Sequence, residues 1–206
     1  MAIGYSGFSH EVMIGTRTPS KLDEWQKENP NVTVGTFAEV AVFAETIFLA
    51  TVGWAAIECL ESCGNPADVL DGKVIIDATN PLKKDLVIPP PNGYVEFYKP
   101  EGYNSQMESL QGKFPNVKFV KGFTNVGSHF FFNHPGVNGV KPCIFICGND
   151  NEAKKYVTEL IESAGHDVED FGPAAVAGCI EASCQMWGAR AFNSNKWNHA
   201  FAMLKV

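Results

Sequence analysis

Glu11-Val12-Met13-Ile14-Gly15-Thr16-Arg17-Thr18-Pro19-Ser20-Lys21 reads as a short strand that ends on a glycine and turns at once into a hydroxyl, a guanidinium and a nearby ammonium. Residues 12–15 lack the polar alternation of a half-exposed strand, so both faces are expected to be covered. Pro19 suits the first turn of a helix, predicted to run to about Lys27. A strand feeding directly into a helix is the repeating unit of a parallel sheet.

Outward from this stretch the same alternation recurs. Strands are predicted at 32–34, 46–51, 73–77, 118–123, 142–147 and 166–170, and helices at 37–44, 54–63, 105–111, 152–164 and 174–192. Gly64 and Gly165 serve as helix stops, and Asn149-Asp150-Asn151 offers cap candidates. The tract Ile88-Pro89-Pro90-Pro91-Asn92-Gly93 fits neither helix nor central strand, so residues 83–102 form a long excursion loop. Loops of that size in a compact domain are usually functional or mobile. The expected fold class is α/β, a mainly parallel sheet with helices on both faces and a small C-terminal helical segment. Residues 1–172 would form the main domain and 173–206 the helical appendage.

Composition narrows the partners. A chain of 206 residues, 45% hydrophobic, holds one domain and little more. With 19% charged residues, a net charge of −7 and no Lys/Arg block, it is not expected to bind nucleic acid. Apolar runs stop well short of membrane-spanning length, and no secretory leader is expected. Six cysteines, at 59, 63, 143, 147, 179 and 184, lack the spacing of a zinc knuckle. They read as free, buried thiols of a cytoplasmic protein.

Ligands of open α/β sheets sit outside the carboxyl ends of the strands, and four such ends carry suggestive residues. They are Thr16-Arg17 after the first strand, Thr51-Val52-Gly53-Trp54, Ala78-Thr79-Asn80-Pro81 and Thr124-Asn125-Val126-Gly127. In a dinucleotide-binding sheet, an acid near the adenine ribose favours the free 2′-hydroxyl of NAD, whereas an arginine accommodates the 2′-phosphate of NADP. The first strand end carries Thr16 and Arg17 with Lys21 close by and no carboxylate, so the expected cofactor is NADP(H). A surface turn with two solvated cations is the alternative.

This ordered set resembles the NADP oxidoreductases of the deazaflavin (coenzyme F420)-dependent type. That family includes NADPH:deazaflavin-coenzyme oxidoreductases and the cytosolic reductase domain of six-transmembrane metalloreductases. The resemblance runs from His10-Glu11-Val12-Met13-Ile14-Gly15-Thr16-Arg17 through Leu49-Ala50-Thr51-Val52-Gly53-Trp54-Ala55 to Asp77-Ala78-Thr79-Asn80-Pro81-Leu82. It continues with Val120-Lys121-Gly122-Phe123, Phe145-Ile146-Cys147-Gly148-Asn149-Asp150 and Asn198-His199-Ala200-Phe201. It implies a Rossmann domain that binds NADP, a C-terminal part that packs in a homodimer, and hydride passing between nicotinamide and a second flat ring, a flavin or deazaflavin.

On that resemblance Thr16, Arg17 and Lys21 would hold the 2′-phosphate, and Thr51, Val52, Gly53 and Trp54 would line the ribose and nicotinamide. Asn80 and Pro81 would border the nicotinamide, with Asn125, Val126 and Gly127 near the second ring. Trp54 serves equally as packing between helix and sheet. His129 and His134, set among Phe130-Phe131-Phe132, would form an apolar corner or gate a ring, and His199 would be structural or at a dimer contact. No catalytic acid or base is expected, because hydride transfer is the cofactor's own chemistry.

Departures from the family pattern matter too. A first strand, a Gly-x-Gly-x-x-Gly loop and most of a helix normally precede the His-Glu-Val string, yet nine residues precede His10, and Gly4 and Gly7 do not form the fingerprint. Ala2-Ile3-Gly4 reads as the middle of that helix, so the chain looks truncated, with two strand edges left unpaired and cofactor binding weakened. The Asn-Thr of the family is reversed as Thr124-Asn125, and Gly178 replaces a frequent arginine. A non-catalytic scaffold and an imine or β-hydroxyacid reductase are the other readings. The second would need an acid or lysine in the last helix, which offers only Glu181 and Arg190.

Overall fold

The computed structural model describes residues 1–132 and 136–204. In chain order the elements are α1 (Ala2–Gly7), β1 (Val12–Gly15), α2 (Asp23–Glu28), β2 (Val32–Gly35), α3 (Phe37–Phe43), β3 (Thr46–Leu49), α4 (Ala56–Glu61) and α5 (Pro66–Val69). They continue with β4 (Val74–Asp77), α6 (Gln106–Lys113), β5 (Lys118–Lys121), β6 (Cys143–Gly148), α7 (Asn151–Ser163), β7 (Asp167–Asp170) and α8 (Ala177–Ser194). The predicted helix after Pro19 divides into a 3-10 turn, Pro19–Leu22, and α2, and α4 and α8 are likewise entered through 3-10 turns. α5 was not anticipated. A single turn opened by Pro66 is too short to leave a periodic signature.

Local chemistry sets the boundaries. The hydroxyl of Thr36 accepts a bond from the Glu39 amide while the Glu39 carboxylate reaches back to the Thr36 amide, which closes a capping box on α3. Asp150 caps α7 by accepting from the Ala153 amide at 2.8 Å. Gly64 and Gly165 adopt the left-handed conformation that ends a helix, with φ of +98° and +96°.

β1 and β2 pair in parallel, as do β3 with β4, β4 with β5, and β6 with β7, whereas β5 and β6 run antiparallel. The sheet is thus mainly parallel, as expected. The two-residue side-chain period of the strands divides the core between its faces. Ile75, Phe119 and Cys147 join Leu60, Met107, Leu110 and Ile180 on one face. Their strand neighbours Ile76, Val120 and Ile146 meet Tyr5, Val157 and Ile161 on the other. Among the described residues no helix is long and apolar enough to cross a membrane.

The strands form two sheets, a two-stranded β1-β2 and a five-stranded β3-β4-β5-β6-β7. Among the described residues the outer edges of β1 and β3 pair with no strand, and they line a cleft of about 770 Å³. Gly4 and Gly7 lie within α1, as expected, and so cannot form a phosphate-cradling turn.

The excursion after β4 is irregular but anchored. The Lys83 amide donates to Glu96 at 3.0 Å and the Tyr98 amide to Pro81 at 2.8 Å, giving a hairpin-like return. α8 holds its far side, with Gln185 donating to the Val95 carbonyl and Asn193 to that of Gly93. Beyond α8 the tail folds back. Phe201 accepts from the Cys143 amide at 2.8 Å, and the His199 ring stacks on Trp187 at 4.9 Å between centroids.

Candidate functional site

The carboxyl ends of β1, β3 and β4 carry the predicted groups in one region. Gly15 at the end of β1, Ala50 and Thr51 after β3, and Cys59 of α4 line one cleft, so the ends of β1 and β3 share an edge of the molecule. Arg17 and Lys21 are exposed, and neither takes part in an ion pair among the described residues. The Thr16 hydroxyl accepts from the Thr18 amide at 3.3 Å, which rounds the turn that presents Arg17.

The loop after β3 presses directly on the loop after β4. A Cβ added at Gly53 would fall on the Asn80 carbonyl oxygen and the Gln106 side chain, so only glycine permits this approach. Trp54 is exposed at 43%, and Lys84 Nζ sits 5.1 Å from its ring centre. Two polar atoms at this edge, Thr51 Oγ1 and Asn80 Oδ1, are buried with no hydrogen-bond partner. Buried polar atoms are nearly always bonded, so these two, like Thr124 Oγ1 elsewhere in the molecule, are exceptions that call for a partner.

Beneath the loops lies a buried charged network that sequence reasoning did not assemble. Lys121 at the end of β5 is fully buried, and its Nζ stands 2.8 Å from Asp77 Oδ2, 3.0 Å from Glu181 Oε1 and 2.7 Å from the Thr79 carbonyl oxygen. Burial pulls the Lys121 ammonium down, but the two carboxylates outweigh it, and the net effect raises its pKa. Asp77 Oδ1 accepts from both the amide and the hydroxyl of Thr79. Glu181 accepts from the Gln106 and Met107 amides at 3.1 Å each, which ties α8 to the start of α6.

Gln106 relays the network outward, donating to the Thr79 hydroxyl and accepting from Tyr98 Oη at 2.9 Å. Burial, with the charges of Glu181 and Asp77, pushes the Tyr98 hydroxyl up to about 12. Tyr98 is therefore a neutral donor at physiological pH. Trp54, Tyr98 and Tyr103 share an aromatic recess of about 440 Å³ between α4, the excursion and α6.

Asn125, Val126 and Gly127 are placed differently from the strand-end loops, since all three are buried. The Asn125 amide group donates to Cys143 O at 2.8 Å and accepts from Phe145 N at 3.2 Å, taking over as partner to β6 where β5 leaves it. A Cβ at Gly127 would meet the Trp187 and His129 rings. Phe123 and Phe131 stack edge to face at 5.3 Å, so residues near His129 form an apolar corner, while His134 lies outside the described residues.

The fold is of the Rossmann-type α/β class, with these groups gathered at the carboxyl ends of its parallel strands. Residues 2–81 match the sequence family described as NADP oxidoreductase coenzyme F420-dependent. A crystal structure from Arthrobacter sp. FB24, of a protein provisionally named an F420-dependent NADP-reductase, aligns with all of this chain and 93% of its own, at 31% identity and a TM-score of 0.88. The chain belongs to the NADP oxidoreductase, coenzyme F420-dependent family. It is also 32% identical over 178 residues to the metalloreductase STEAP3 of Rattus norvegicus, covering 86% of this chain but 32% of the length of that protein. An imine reductase from Myxococcus stipitatus, solved in complex with NADP+, shares the fold at 13% identity and a TM-score of 0.63.

Proposed function

We propose that the chain binds NADP(H) across the carboxyl ends of β1, β3 and β4 and passes hydride between nicotinamide and a flat flavin or deazaflavin acceptor. The observation that carries the reading is the pair Arg17 and Lys21 at the end of β1, exposed and without an ion pair among the described residues, close to the loops of Thr51 and Asn80. The cations would take the 2′-phosphate, a guanidinium being suited to bidentate phosphate recognition. Thr51 to Trp54 and Asn80-Pro81 would hold the ribose and nicotinamide. NADPH, when bound, supplies the hydride, and the residues around it orient the ring and exclude water.

Two features favour a flat acceptor over a substrate that needs protonation. The acid of the last helix, Glu181, is tied to Lys121, Gln106 and Met107, so it is not available to donate a proton to a substrate. The Trp54, Tyr98 and Tyr103 recess offers aromatic surface beside the nicotinamide edge. Asn125 to Gly127, being buried, would contribute to this site through the loop they support. Cys63, Cys143 and Cys147 are buried, whereas Cys59 and Cys184 are half-buried and Cys179, on the outer face of α8, is exposed, contrary to the sequence reading; free thiols would still suit a reducing, cytoplasmic setting. Residues 1–172 would act as the cofactor domain, and residues 173–206 would lie near a homodimer interface.

Arg17→Ala tests the assignment. A charge-assisted hydrogen bond contributes about 1.5–3 kcal/mol. Titration followed by nicotinamide fluorescence should show NADPH affinity reduced by roughly tenfold or more, at about 1.4 kcal/mol per decade, with NADH unaffected. Equal losses for both cofactors would mean that the guanidinium does not read the 2′-phosphate.

A further inference from the structure

We infer that Gln106 is a positioning residue for the nicotinamide side of the site, where its carboxamide, held in one orientation, sets the Gly53 and Asn80 loops against each other. This role rests on the dinucleotide reading of the strand-end loops and names the side chain on which that reading turns.

Gln106 opens α6 and is 1% exposed. Its Nε2 donates to the hydroxyl of Thr79, the neighbour of Asn80, and its Oε1 accepts from Tyr98 Oη at 2.9 Å. The same Oε1 lies against Gly53, where an added Cβ would collide both with it and with the Asn80 carbonyl oxygen. Tyr98 Oη in turn stands 3.4 Å from the Gly53 carbonyl oxygen. One side chain thus touches the loop after β3, the loop after β4 and the excursion.

Proton counting leaves the carboxamide a single orientation. Asp77, 2.8 Å from the Lys121 ammonium, is an acceptor only. Its Oδ1 takes the Thr79 hydroxyl proton at 2.6 Å and the Thr79 amide at 2.9 Å. The Thr79 oxygen has then spent its one proton and can only accept, so the group of Gln106 that faces it must be the NH2. Oε1 is left to face Tyr98 and Gly53. The Gln106 amide, bonded to Glu181 at 3.1 Å, fixes the base of the side chain. Donors therefore run one way, from Tyr98 through Gln106 and Thr79 to Asp77. A side chain of the same shape without the NH2 would set two acceptors face to face at Thr79, each costly to leave unbonded when buried. Arg17 and Lys21, at the end of β1, have no part in this chain, so a fault at Gln106 would fall on one half of the dinucleotide only.

Gln106→Glu keeps the shape and trades the NH2 for an oxygen. The charged and titratable groups around it are Asp77 of β4, Lys121 of β5, Glu181 of α8 and the Tyr98 hydroxyl, while the 51–54 loop brings no charge. Two carboxylates against one ammonium, together with burial, would raise the pKa of the introduced carboxyl above its ordinary value of about 4.3. Ionised, it opposes the Thr79 oxygen. Protonated, it donates there and restores the native pattern.

Titration calorimetry on the whole protein would compare NADP+ with adenosine 2′,5′-bisphosphate, which carries the 2′-phosphate and lacks the nicotinamide. The ratio of the two affinities cancels the titration of the phosphate itself. In Gln106→Glu the ratio should fall roughly tenfold near about pH 8, the worth of about one hydrogen bond, and return to the wild-type value near about pH 5.5. Tyr98→Phe, which removes the donor to Oε1, should lower the ratio at both pH values, and its result decides the matter should Gln106→Glu fail to fold. A Gln106→Glu ratio equal to that of wild type near about pH 8, a ratio lowered alike at both pH values, or an equal loss of both ligands would overturn the positioning role. Wild-type protein that binds the bisphosphate as tightly as NADP+, or binds neither, would instead overturn the dinucleotide reading and the role with it.

Discussion

Lys121→Met is the most demanding perturbation of the candidate site, because it removes one charge and leaves two. In the native protein the ammonium is fully buried within 3.0 Å of both Asp77 and Glu181. Breaking a buried ion pair by deleting one partner typically costs about 3–5 kcal/mol, since the remaining charge keeps its desolvation penalty and loses its compensation. Against a total stability of about 5–15 kcal/mol, the variant should still fold in the cold. With a urea dependence of about 2 kcal/mol per molar, its midpoint should fall by roughly 2 M.

The pH dependence separates a charge effect from simple repacking. With no ammonium nearby, two buried carboxylates face each other uncompensated, and taking up a proton relieves both their repulsion and their desolvation cost. The deficit of Lys121→Met should therefore narrow as pH falls toward 4. In the native protein the pKa of Lys121 is raised, so its contribution persists up to the unfolded lysine value of about 10.4 and is lost only above it. The triple variant Asp77→Asn, Lys121→Met, Glu181→Gln should recover part of the loss. A midpoint shift below about 0.3 M, or a deficit that ignores pH, would refute the claim that charge pairing holds these elements together.

Gly53→Ala should lower stability by about 1–3 kcal/mol through overpacking against the Asn80 carbonyl, and should weaken NADPH and NADH alike. Urea titration and fluorescence binding check both parts, and a Gly53→Ala variant with unchanged stability and binding would show that the two loops need not touch. Met186 and Leu204 are 64% and 78% exposed although Trp187, Phe192 and Trp197 pack among themselves, so sedimentation at micromolar concentration should find a dimer that Met186→Glu weakens. A monomer would show that the tail serves only its own chain.

Strands were legible because each is a short apolar run between turn residues, and the buried parallel strands β4 and β5 announced themselves most plainly. The strand-end loops were legible through Gly53, Asn80-Pro81 and Arg17, whose residue types are unusual for plain packing. The charged network was not. Lys121 sits inside the apolar-looking run Phe119-Val120-Lys121-Gly122-Phe123, and its partners lie 44 residues before it and 60 after. Sequence separation hides such a triad, although a lysine within a predicted central strand is itself a signal, since lysine is almost never buried without a partner. The pairing of Asn125 with β6 was hidden for another reason, because an asparagine at a strand end suits a ligand contact and a pairing with a neighbouring strand equally well.

The placement of the network follows from what the strand-end loops need. Irregular backbone carries polar groups that no ladder satisfies, and at the edge of a sheet these must be fixed without closing the space a ligand requires. Here fixation comes from below. Lys121 holds the Thr79 carbonyl, Asp77 holds the Thr79 amide, and Gln106 links Thr79 to Tyr98 of the excursion. Thr79, the neighbour of Asn80, is thus bonded at its amide, hydroxyl and carbonyl, while Asn80 Oδ1 and Thr51 Oγ1 have no partner among the described residues. An unsatisfied buried polar atom costs about 1–3 kcal/mol in the free protein. A ligand that bonds both atoms meets groups already held in place by the bonded layer beneath, so little ordering cost would be charged against its binding.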